Sequence, residues 1–122
     1  MALFAAVSSN VAYACPEKND GVALTTADEN APAAFVSIPS PPISRPFGID
    51  MLFCGEVLEV EFDATMPAHQ HGMNYDAEVL ALGNNTYRVD NVVFHMPGLW
   101  EMRLDVRGPD GDFTYTGEIE VE

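Results

Sequence analysis

Trp100-Glu101-Met102-Arg103-Leu104-Asp105-Val106 alternates large apolar and charged residues without a break. Successive side chains on a strand point to opposite sides. Trp100, Met102, Leu104 and Val106 therefore share one face, and Glu101, Arg103 and Asp105 share the other. This predicts a strand with one face on a core and one in water, as antiparallel sheets have. Downstream, Gly108-Pro109-Asp110-Gly111 reads as a tight turn. Phe113 to Glu122 returns with Tyr115, Ile119 and Val121 inward and Glu118, Glu120 and Glu122 outward.

The same period recurs upstream. Leu58, Val60, Phe62 and Ala64 alternate with Glu59, Glu61 and Asp63, so these three carboxylates read as a solvated face. Phe47, Ile49, Met51 and Phe53 line one side of a strand ending at Cys54-Gly55. Glu78–Leu82 and Thr86–Val89 flank Gly83-Asn84-Asn85 and predict a hairpin. Ala34–Ile38 supplies a first short strand, and Pro39–Pro46 an extended, proline-rich connection. No segment has a helical period. Short strands at this spacing predict an all-β fold, an antiparallel β-sandwich of immunoglobulin-like type with about seven strands.

At 122 residues the chain has the length of one domain. It carries 19 Asp plus Glu against 5 Lys plus Arg, a net charge of −14. Nucleic-acid binding needs a basic face against the phosphates, which this composition cannot supply. No polybasic segment favours an anionic membrane surface. Met1–Ala14 is small and apolar and ends in Ala12-Tyr13-Ala14, an A-x-A cleavage pattern without a basic leader. It reads as a partial export signal, too short and too broken by Ser8, Ser9 and Asn10 to span a membrane. Residues 15–34 form a polar N-terminal segment ahead of a sandwich domain over 35–122. Export to the periplasm or cell envelope would favour pairing the two cysteines, Cys15 and Cys54. A lipid anchor at Cys15 is the less favoured alternative, because Ala12 stands where a large aliphatic residue is preferred.

The chemistry-bearing residues cluster in two places. Met66-Pro67-Ala68-His69-Gln70-His71-Gly72-Met73-Asn74 holds two of the three histidines, and His95-Met96 holds the third. Imidazole and thioether donors together suit copper, as Cu(II) with two or three histidines and as Cu(I) once methionines join. The candidate ligands are His69, His71, Met73, His95, Met66 and Met96. On an extended backbone His69 and His71 would project to one side. The plainer reading makes Met66 and Met96 core filler and has His95 bonded to a backbone carbonyl. Met51 and Met102 lie on inward faces and are core. Without a cysteine in the cluster, a blue-copper centre and a structural zinc site are both disfavoured. No nucleophile elbow, phosphate loop or dinucleotide fingerprint is present, so the chain does not read as an enzyme.

Three stretches together resemble the YtkA-like domain family: Pro46-Phe47 through Cys54, Met66 through Asn74, and Phe94-His95-Met96-Pro97-Gly98-Leu99-Trp100-Glu101-Met102. The resemblance runs from about Phe35 to Val121. It implies a small exported bacterial domain of immunoglobulin-like fold, with a link to copper handling or electron-transport assembly. The expected function is a copper carrier or metallochaperone delivering to a cuproprotein. The alternative is a non-catalytic interaction module of an envelope complex. A three-histidine metalloenzyme is the most distant reading. The copper expectation requires the 66–74 and 95–96 segments to meet at one end of the domain.

Overall fold

The computed structural model describes residues 21–69, 71–73 and 76–122. Ten strands run through them: β1 (Val22–Ala23), β2 (Thr25–Thr26), β3 (Ala34–Ser37), β4 (Phe47–Phe53), β5 (Glu59–Met66), β6 (His71–Gly72), β7 (Glu78–Gly83), β8 (Thr86–Val92), β9 (Gly98–Gly108) and β10 (Gly111–Val121). Two five-stranded sheets result, ordered β1-β3-β4-β8-β7 and β2-β10-β9-β5-β6. All pairings between these strands are antiparallel. Setting aside the two-residue strands β1, β2 and β6 leaves β3-β4-β8-β7 facing β10-β9-β5. In chain order that is the four-on-three arrangement of an immunoglobulin domain. The expected sandwich and its seven principal strands are therefore present.

The core follows the alternation. Trp100, Met102, Leu104 and Val106 of β9 are buried, as are Tyr115, Ile119 and Val121 of β10 and Ile49, Met51 and Phe53 of β4. Phe94, Val36 and Val89 complete the layer between the sheets. Two buried tyrosines end in backbone bonds that join separate segments: Tyr115 Oη donates to Pro32 O at 2.6 Å and Tyr87 Oη to Val57 O at 3.0 Å. Buried hydroxyls normally find such partners.

The turns follow their sequences closely. Asn84 and Asn85 both adopt positive φ (54° and 60°) between the paired residues Gly83 and Thr86. That is the two-residue hairpin geometry whose twist matches the strands, and asparagine tolerates it well. Pro109-Asp110 joins β9 to β10 between the paired residues Gly108 and Gly111, without the positive φ of the asparagine turn.

Three details differ from expectation. Leu58 is 47 % exposed, and Val57 takes the buried place beside it at 7 %. Regular pairing with β9 begins only at Glu59, so the alternation slips by one residue at the strand entry. Phe47 is half-buried, because a register shift in the β4–β8 pairing falls between Phe47 and Ile49. Finally, Val22–Thr26, read from sequence as part of a polar segment, enters both sheets. β1 pairs with β3 and β2 pairs with β10, so this short run crosses from one sheet to the other. Among the described residues no helix is long and apolar enough to cross a membrane.

Candidate metal-binding end

Strand register decides whether the two His/Met segments can meet. β5 pairs with β9 through Ala64↔Met102 and Thr65↔Glu101. β5 therefore ends at Met66 beside the start of β9. That start is Gly98, directly after the His95-Met96-Pro97 turn from β8. On its other edge β5 pairs with β6 through Thr65↔Gly72 and Met66↔His71. The turn of residues 67–69 and the turn of residues 95–97 thus lie side by side at one end of the sandwich.

A direct contact joins them. Gly98 has φ +129°, and a Cβ placed on it would come within 2.8 Å of the Met66 Cε atom. The thioether methyl of Met66 occupies the space a side chain at Gly98 would need. Glycine meets both demands here, the backbone angle and the close approach. Met66 itself is 2 % exposed and packs within the core. The structure therefore places Met66 where the plainer reading put it.

The other candidate residues stand in different environments. His69 is exposed in the β5–β6 turn, and its backbone N–H donates to Met66 O at 3.1 Å. His71 lies in β6 whereas His69 lies in the turn that follows β5, so the two histidines do not share one extended run; the side chain of His71 lies outside the described residues, as do Gln70 and Asn74. Met73 is half-buried against the core and lines a cleft of about 370 Å³ with Phe62, Asp63 and Asp76. Met96 is also half-buried, and its carbonyl accepts the Trp100 Nε1–H at 3.0 Å.

His95 has the most constrained surroundings. Its Nδ1 atom is buried, and the imidazole meets the indole of Trp100 edge-on, with centroids 5.5 Å apart and planes at 78°. Trp100 stacks in turn on Phe94 at 4.8 Å, and Phe94 on Phe47 at 5.5 Å. Ser44 N–H donates to Phe94 O at 2.8 Å, tying the proline-rich connection to the same turn. Aromatic contacts of this kind hold a turn rigidly over a core. Sequence reading marked His95 and Met96 but missed this supporting cluster. Its only signal was Phe94 and Trp100 on either side of the turn.

Among the described residues no three His, Cys, Asp or Glu side chains gather as a metal site. A copper site at this end must therefore draw on His71 or on the methionine thioethers. The donors expected from sequence are of the right chemical type for that. Cys54 follows β4 and is not a free thiol. Cys15, its expected partner, lies outside the described residues.

Residues 56–105 match the family model described as YtkA-like. The matched span runs from the entry of β5 through most of β9 and contains both His/Met turns. The YtkA-like resemblance is thus borne out over the part of the chain that builds this end. Comparison with curated proteins and with solved structures returns no match.

Proposed function

We propose that this YtkA-like domain is an extracytoplasmic copper-binding protein, a carrier or metallochaperone whose ligands come from the two adjoining turns. The observation that carries the reading is the Met66–Gly98 contact. It fixes the β5–β6 and β8–β9 turns against each other, which supports drawing the ligands of one ion from both. His69, His71 and His95 supply the affinity, and Met73 and Met96 add preference for Cu(I). Met66 sets the frame on which these donors stand.

The arrangement suits a carrier. One wall, around His95, is held by Trp100 and Phe94, while His69 sits exposed on a turn. A site with one rigid and one solvent-facing wall can pass its ion to a partner by exchanging ligands one at a time. The acidic surface adds a long-range pull on cations. The apolar leader Met1–Ala14 and the pair Cys15 and Cys54 fit an oxidising, extracytoplasmic compartment.

Titration of the purified protein with Cu(II), and with Cu(I) under reducing conditions, tests the reading. One equivalent binding more tightly than about 1 μM supports it. Absence of such binding in both oxidation states removes it and leaves the domain as a docking module of an envelope complex.

A further inference from the structure

The two lateral sides of the sandwich are finished differently. On one side the run Val22–Thr26 passes from β1, the edge of one sheet, to β2, the edge of the other. On the opposite side the edges are β7 and the pair β5-β6. β6 covers only Thr65 and Met66 of β5. Among the described residues Glu59–Ala64 therefore pairs with β9 on one edge and with no strand on the other. An open strand edge presents unpaired N–H and C=O groups to a further strand.

This edge has a definite chemistry. On its inward face Val60 and Ala64 are buried, but Phe62 between them is only half-buried. Phe62 borders the cleft of about 370 Å³ that Met73 of the following loop and Val79 of β7 also line. On the outward face Glu59, Glu61 and Asp63 are exposed. The strand on the other edge, β9, shows what complements such a pattern. It sets Val106, Leu104 and Met102 against the inward residues, and Arg107 and Arg103 against Glu59 and Asp63. Against Glu61 it sets Asp105, and like charges directly opposed are destabilising. Arg107 pairs with Glu59, but Arg103 turns to Asp105. Among the described residues no cation forms an ion pair with Glu61 or Asp63.

We propose that the Glu59–Ala64 edge of β5 docks an extended segment of a partner protein in which apolar and basic residues alternate. The segment adds to the sheet as a strand, a mode in which main-chain bonds give affinity and alternate side chains give specificity. Its apolar residues enter the cleft beside Phe62, and its basic residues stand outside next to Glu61 and Asp63. A second copy of this chain is the wrong occupant. Its own β5 would set carboxylates against carboxylates, and each copy carries a net charge of −14.

Amide hydrogen exchange of the full-length, metal-free protein with a short peptide alternating lysine and valine tests this. Backbone groups in an antiparallel ladder point alternately to its two sides, so some amides of Glu59–Ala64 bond β9 and the others face the open edge. The peptide is expected to slow exchange of the edge-facing amides several-fold and to leave those of β7 unchanged. A glutamate–valine peptide, and a lysine–valine peptide with an N-methylated backbone, should have no such effect. Glu61→Lys/Asp63→Lys should weaken binding of the lysine–valine peptide about tenfold. Glu118→Lys/Glu120→Lys changes the net charge equally on β10, beyond β9, and should weaken it far less. Absence of binding, equal binding of either control peptide, an equal loss in the β10 variant, or protection of β7 instead would overturn the proposal. So would edge-facing amides already protected in the free protein, because the chain's own residues or a second copy would then hold the edge.

Discussion

The imidazole of His95 stands edge-on to the indole of Trp100, 5.5 Å away and nearly perpendicular. Trp100 is the only tryptophan in the chain and is fully buried. Its fluorescence therefore reports on the β8–β9 turn alone. Addition of Cu(II), a strong quencher at this range, is expected to remove most of the tryptophan emission at one equivalent. His95→Ala is expected to lose most of that response while leaving the emission of the metal-free protein blue-shifted and buried. Emission unchanged by copper in a protein that binds it would place the ion away from this turn.

The Met66–Gly98 contact yields a stability cycle. Met66→Ala opens a cavity in the core and is expected to cost about 2–5 kcal/mol. Gly98→Ala places a methyl on the Met66 thioether and strains a positive φ, so it is destabilising as well. In the double variant the steric part disappears, because the truncated Met66 leaves room for the new methyl. Urea denaturation of the four proteins should show a combined loss smaller than the sum of the single losses. Additive losses would mean that the two turns are not in contact.

Tyr115 links β10 to Pro32 and is fully buried. Burial, with a smaller contribution from the Asp28 carboxylate, pushes its phenol up to about 12 from the usual 10.0. A raised acid pKa means that the folded state holds this proton more tightly than the unfolded state. The resulting stability is complete below pH 10 and is lost as the pH climbs toward 12. Absorbance titration at alkaline pH should show a late-ionising tyrosine that Tyr115→Phe removes. The variant should also flatten the fall in stability over that pH window, at a cost near neutrality of about 1 kcal/mol for the lost hydrogen bond.

Most of the sandwich was legible because its long strands each keep one wet face. Trp100–Val106 and Tyr115–Val121 show their burial directly in the alternation. Val22–Thr26 carried no such signal. Two-residue strands have no period to read, and their pairing partners β3 and β10 are remote in sequence. The slip at Val57 and Leu58 was also hidden, since either residue satisfies an apolar pattern and only the β9 register chooses between them. At the candidate site the residue types and the meeting of the two turns were legible from strand order. The separate fates of the methionines were not. Met66 ends a strand and points into the core, whereas Met73 and Met96 lie just outside strands and stay half-exposed. Sequence spacing alone does not distinguish them.

The central claim is that one copper ion is held jointly by the two turns. Its most direct test is calorimetric copper binding to the wild-type protein, His69→Ala/His71→Ala, His95→Ala and the triple variant. The account predicts one equivalent for the wild type, weaker binding in each turn's variant, and no specific binding in the triple variant. The losses from the two turns should not add, because both act on one ion. Binding by His95→Ala with wild-type affinity, or two independent equivalents each abolished by one turn's variant, would contradict it.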